Sequence, residues 1–184
     1  MRAFFALPLG EIARAELSRA VRDFQEASWG GRVRWVPGEN LHITLRFLGE
    51  IPEDRSDELV ERVRGYVGPC APFACRLASI RPFPSEGRAR LIAARVAPEP
   101  PLSELHERVE RGVVEAGLEA DPRRFQAHIT LGRARKPPLR NASIETLLAP
   151  APVEVERVVL YRSKLSPDGA RYTPLVDIAL SGKR

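Results

Sequence analysis

The tetrad His-Ile-Thr-Leu occurs twice in this chain, at residues 42–45 and again at 128–131, 86 residues apart. Two strand-like stretches that precede the tetrads, RAFFALP at 2–8 and ARLIAARVA at 89–97, keep nearly the same spacing, with Phe5 and Ile92 standing 87 residues apart. A matched offset at two separate places argues for internal duplication, and two copies of so long a period exclude a solenoid. The chain is therefore constrained to fold as two related lobes. Each is read in the same order: strand, long helix, histidine strand, helix, strand.

Periodicity fills in that order. Residues 2–8 are read as a strand, and 10–28 as a helix with Ile12, Leu17, Val21 and Phe24 facing inward, ended by Gly30-Gly31. A short strand at 33–36 precedes the first histidine strand at 41–48. Residues 53–67 form an amphipathic helix burying Leu59, Val63 and Tyr66, and 72–81 a strand. Pro82, Pro84 and Gly87 punctuate a loop. After the strand at 89–97 comes a helix at 101–117, with Leu102, Leu105, Val109 and Val113 inward. The second histidine strand covers 127–134 and a short helix 142–149. Strands at 152–162 and 171–180 close the fold around a turn at Ser166-Pro167-Asp168-Gly169. The class expected is α+β: two pseudo-symmetric lobes, each an antiparallel sheet with outer helices, facing across a central cleft. Residues 1–184 form one bilobal domain whose repeat halves run roughly 1–81 and 89–180.

With 43% hydrophobic and 29% charged residues over 184, the composition is that of a soluble globular domain and excludes a disordered chain. No apolar run is long enough to cross a bilayer. The apolar start is too short for a secretion signal and is followed by Glu11 and Glu16. A cytoplasmic location follows, with Cys70 and Cys75 expected as reduced, buried thiols. The formal charge of +5 favours an anionic partner. Of the 29 basic residues 26 are arginine, whose flat fork suits phosphate, but only arginines beside a motif count as evidence.

Side chains alternate between the two faces of a strand, so His42 and Thr44 share one face against Ile43 and Leu45. His128 and Thr130 likewise oppose Ile129 and Leu131. The aliphatic pairs can lie under helices, which leaves the polar pairs to line the seam between the lobes. Two imidazoles on opposite walls suit acid–base chemistry near neutral pH, one ring accepting a proton while the other gives one. Phosphoryl transfer needs attacking and leaving groups in line, which opposed histidines supply. The threonine hydroxyls can bond non-bridging oxygens. Arg46, four residues after His42, falls on the histidine face. Arg133, five after His128, falls on the opposite face and needs a bulge or a strand end to reach a phosphate. The third histidine, His106, sits on a charged helix and is expected at the surface. Zinc wants three or four ligands, and no such spacing exists, so no metal and no other cofactor is expected. A non-catalytic RNA- or nucleotide-binding module using the same cleft is the alternative.

Two His-x-Thr-x motifs in duplicated lobes resemble the signature of the 2H phosphoesterase superfamily. The segments RAFFALPL, NLHITLRFLGE, FQAHITLGRAR and LYRSKLSPDGARYTPL are similar to its RNA 2′,3′-cyclic phosphodiesterases, also described as 2′-5′ RNA ligases. The resemblance spans nearly the whole chain, and no motif residue is missing. It implies metal-independent opening of a terminal 2′,3′-cyclic phosphate of RNA to a 2′-phosphate. By position it implies His42 as proton donor to the departing 3′ oxygen and His128 as the acceptor that activates water. Thr44 and Thr130 match phosphate-holding hydroxyls, and Arg133 a position often occupied by arginine. Phe47 matches an aromatic beside the first motif; substrate contact and core packing are both open to it, packing being favoured. The implied partners are RNA ends or nucleotides carrying the cyclic phosphate, tRNA halves in a reversible 2′-5′ joining reaction among them. No membrane partner is implied, and a monomer is expected.

Overall fold

The structure is a computed structural model describing residues 1–85, 88–139, 144–166 and 169–183. Its strands are β1 (Arg2–Pro8), β2 (Val33–Trp35), β3 (His42–Glu50), β4 (Phe73–Phe83), β5 (Leu91–Ala97), β6 (His128–Ala134), β7 (Thr146–Leu147), β8 (Pro152–Val155), β9 (Arg157–Ser166) and β10 (Gly169–Ala179). Its helices are α1 (Glu11–Glu26), α2 (Ser56–Val67) and α3 (Pro100–Glu115). The fold is α+β and every strand pairing is antiparallel.

The strands run in the order β10-β9-β1-β3-β6-β5-β4-β7, with β2 added to β6 and β8 to β4. The middle of this path is thin: β3 and β6 share a single residue pair, Ile43 with Ile129. Two half-sheets therefore meet at the two tetrads. The half-sheets are not the sequence halves. Strand β4 follows the first histidine strand in sequence yet pairs with β5, while β9 and β10 complete the half that contains β1 and β3. The stretch read from sequence as one strand at 152–162 is divided at Glu156, because β8 pairs with β4 in one half and β9 with β1 in the other. The chain crosses between halves at that residue, which periodicity within one segment cannot reveal.

Helix α1 buries Ala13, Leu17, Val21 and Phe24. Ile12, expected inward, is 65% exposed; Ala13, four residues before Leu17, takes the inward place in the first turn. Helix α2 buries Leu59, Val60, Val63 and Val67, while Tyr66 is half-exposed with its hydroxyl on Glu115. Helix α3 buries Leu102, Leu105, Val109 and Val113 as its spacing predicts. All of these join one core with Ile43, Leu45, Ile129 and Leu131. The helix expected at 142–149 begins outside the described residues; its described part, 144–149, holds no helix but the short β7, whose Thr146 and Leu147 pair with Ile80 and Ser79. So short a helix is marginal alone, and the free edge of β4 offered its backbone a better partner. The expected turn at 166–169 has its two central residues outside the described set, but Ser166 and Gly169 pair across it.

Helices α2 and α3 cross closely at Gly112, where an added Cβ would lie 2.6 Å from Val63 Cα. That neighbour is backbone and cannot turn aside. Gly112→Ala is expected to cost ~2–3 kcal/mol by overpacking, lowering the melting temperature by about 5–10 °C, as read by calorimetry. An unchanged melting temperature would mean that the two helices slide apart freely.

Among the described residues no helix is long and apolar enough to cross a membrane. Cys70 and Cys75 are free thiols, Cys75 buried and Cys70 half-buried, and burial pushes both thiols up from the ordinary value.

Candidate active site

Residues paired across antiparallel strands point to the same side of a sheet. Because Ile43 faces Ile129, both aliphatic chains enter the core and their flanking residues, His42, Thr44, His128 and Thr130, emerge together on the other face. In the register set by that pair, His42 lies across from Thr130 and Thr44 across from His128. The two histidines are then diagonal neighbours, roughly 7–8 Å apart at the backbone.

Each ring is held in the same way. Nδ1 of His42 donates to Asn40 O at 2.7 Å, and Nδ1 of His128 donates to Gln126 O at 2.7 Å. A carbonyl can only accept, so the proton of each neutral ring sits on Nδ1 and Nε2 carries the lone pair. The rings differ at Nε2. That of His42 is 2.9 Å from Thr44 Oγ1; among the described residues that of His128 has no hydrogen-bond partner. Burial lowers the pKa of both imidazoles from 6.5, against the raising effect of each backbone hydrogen bond. The His128 charge and then Arg133 lower His42 further, while Arg133 and then Arg95 lower His128. Both rings thus lie within electrostatic reach of one arginine.

That reach corrects the facing expected for two side chains. In the pairing of β3 with β1, Thr44 matches Ala6 and Arg46 matches Phe5, so Leu45 is an extra residue, a β-bulge. Alternation restarts after it. Arg46, expected on the histidine face as a substrate ligand, is instead turned under the sheet. There it is 8% exposed and ion-paired to Glu110 at 2.8 Å and Asp121 at 3.3 Å. Phe47 takes the histidine face, 44% exposed, beside Phe4, whose ring lies 5.0 Å from His42. The favoured core-packing role for Phe47 is thereby corrected as well. In the pairing of β6 with β5, Thr130 matches Ala93 and Gly132 matches Ile92, so Leu131 is the same bulge in the second copy. It supplies the irregularity Arg133 needed and turns that residue to the histidine face. Gly132 stands where the first copy has Arg46; a Cβ there would lie 2.4 Å from Val33 Cγ1, because β2 runs along β6 at this point.

The sequence reading missed the walls. Phe4, Tyr161 and Tyr172 surround His42, the Tyr172 ring edge-on at 5.2 Å. Phe83 stacks on His128 at 4.8 Å, and Arg95 lies directly across from His128 on β5. A cavity of about 270 Å³ opens there, lined by Phe83, Arg95, Gln126 and His128 among others. A larger one, about 530 Å³, lies around Arg46, Arg55 and Asp121 and includes neither motif histidine. His106 is not a surface residue: it is half-buried, bonds Leu45 O through Nδ1 at 2.9 Å and stacks on Phe125. Among the described residues no group of three or more His, Cys, Asp or Glu side chains could hold a metal ion.

Residues 13–166 match the family model of the 2′-5′ RNA ligase superfamily. The chain belongs to this superfamily. It is 36% identical to an RNA 2′,3′-cyclic phosphodiesterase of Thermus thermophilus, over 100% of this chain and 92% of that one. It is 29% identical to one of Thermotoga maritima, over 99% and 97%. Among solved structures it is similar to TT0787 of Thermus thermophilus, with a TM-score of 0.87, 32% identity and full coverage of both chains. It is also similar to E. coli LigT complexed with 3′-AMP, with a TM-score of 0.80, 25% identity and 98% coverage of each chain. The superfamily and the enzyme class expected from the paired tetrads are those these relatives bear.

Proposed function

We propose that this chain opens the terminal 2′,3′-cyclic phosphate of RNA to a 2′-phosphate by acid–base catalysis between His42 and His128, without a metal. The observation that carries the reading is that each ring is tied back to a backbone carbonyl through Nδ1, which keeps both Nε2 atoms for proton transfer. His128, with its Nε2 lone pair unengaged, takes the proton of a water as the water oxygen bonds to phosphorus. The bond from phosphorus to O3′ breaks on the opposite side, and protonated His42 delivers its Nε2 proton to O3′. Thr44, Thr130 and Arg133 hold the non-bridging oxygens, where charge develops. Phe47, projecting beside Phe4, offers a face on which the terminal base stacks. A 5′-hydroxyl in place of water makes the same step a 2′-5′ joining reaction, with tRNA halves as one substrate. The protein acts as a monomer.

Incubation with adenosine 2′,3′-cyclic phosphate in excess EDTA is expected to give 2′-AMP at the rate seen without EDTA. Absence of turnover, or its loss on chelation, would overturn the reading; 3′-AMP as product would reverse the assignment of leaving oxygen.

A further inference from the structure

The two bulges that set the site are secured by different devices. In the second copy, Leu131 O accepts the backbone N–H of Val36 at 2.8 Å, so a strand closes the bulge. In the first copy β3 shares only one residue pair with β6, and the equivalent carbonyl, Leu45 O, accepts from the His106 ring instead. The next residue, Arg46, bonds Phe47 O at 3.2 Å and pairs with Glu110. His106 and Glu110 stand four apart on α3 and so share a face. Two side chains of one helix thus grip the two residues on which the reversal of alternation depends. Buried carbonyls and buried guanidinium groups need such partners. The reversal is what turns Phe47 onto the histidine face.

We infer that His106 is a positioning residue for this site: with Arg46 and Glu110 it locks the Leu45 bulge and so holds Phe47 where a nucleobase stacks. The inference rests on the proposed use of Phe47 as a base platform. The clamp's effect is carried by the base of the substrate and leaves the phosphate chemistry alone.

The test compares wild type, His106→Leu, His106→Asn, Phe47→Ala and the His106→Leu/Phe47→Ala double variant. Each is measured for 3′-AMP binding by calorimetry and for turnover of two substrates, adenosine 2′,3′-cyclic phosphate and the base-free glycerol 1,2-cyclic phosphate. His106→Leu, which removes the donor, is expected to weaken 3′-AMP binding and raise KM for the adenosine substrate about tenfold, the scale of one base–aromatic stack. Its kcat stays within about twofold, and glycerol cyclic phosphate is handled as by wild type. His106→Asn, which returns an N–H near the same place, restores binding, and the double variant is no weaker than Phe47→Ala alone. Additive losses in the double variant, an equal loss on the base-free substrate, or failure of Asn to rescue would each overturn the inference. Should His106→Leu not fold, Glu110→Gln, which removes the nearer of the two counter-charges of Arg46, is expected to give the same selective loss, and an unselective one overturns the clamp. A wild type that binds 3′-AMP but turns over neither cyclic phosphate sinks the proposed reaction, leaving the clamp to be judged on binding; one that binds no 3′-AMP sinks both.

Discussion

His128→Ala is expected to lower kcat/KM on a 2′,3′-cyclic nucleotide by about 10²- to 10⁴-fold, the contribution of one positioned acid–base group. His42→Ala is expected to fall in the same range. The expectation rests on how little else is available. Among the described residues Nε2 of His128 has no hydrogen-bond partner, and Nε2 of His42 contacts the Thr44 hydroxyl alone. No carboxylate among the described residues is directly paired with either ring, and both Nδ1 atoms are committed to carbonyls. The double variant should be little worse than either single one, because an acid and a base that act in one step lose their joint effect when either is removed. Binding of 3′-AMP should fall far less than turnover in both single variants. These contrasts separate an enzyme from a binding module that keeps the same cleft. In a module, removing either ring would change nucleotide affinity and there would be no turnover to lose. The measurement is steady-state hydrolysis with calorimetric binding on the same samples, and wild-type turnover by His128→Ala would end the acid–base reading.

Much of this was legible in the sequence because the tetrad recurs. Strict alternation within each copy put His42, Thr44, His128 and Thr130 together on one face. The illegible part begins two residues further on. A bulge is a property of two paired strands, so nothing within LRF or LGR announces that Leu45 and Leu131 are extra. Extrapolating the alternation across them put Arg46 on the wrong face and left Arg133 short of the phosphate. The residue type did hold a clue. Arg46 is followed at a distance by Glu110 and Asp121, but their approach depends on tertiary packing of α3. His106 was misread for a similar reason: its helix is charged, yet the turn that carries His106 and Glu110 lies against the bulge. The aromatic wall of His42 comes from β1, β9 and β10, and the exchange of strands between halves that brings it there has no signature in local periodicity.

Arg133→Ala is expected to act twice, on the height and on the position of the pH profile. In the proposed reaction the guanidinium, turned to the histidine face by the bulge, pairs with a non-bridging oxygen, so its loss should cost about 10²-fold in kcat/KM, the scale for one donor at developing charge. The same positive charge lowers the pKa of both imidazoles. In the free enzyme the productive form has one ring neutral and one charged, so kcat/KM follows a bell between two macroscopic values. Both rings lie below 6.5, which puts the wild-type maximum of kcat/KM on the acid side of pH 6.5. Removing Arg133 relieves both rings of a like charge, raises both values and moves the maximum toward alkaline pH. Lysine at this position keeps the charge but loses the bidentate fork. Arg133→Lys should therefore hold the acidic optimum while recovering only part of the rate. The profile of kcat should already be displaced to higher pH in the wild type, because an anionic phosphate between the rings favours their charged forms. Initial rates from pH 5 to 8 with the cyclic nucleotide check all three enzymes. A wild-type kcat/KM maximum above pH 7 would mean that burial does not depress the two imidazoles, and an acid shift in Arg133→Ala would mean that Arg133 does not face them.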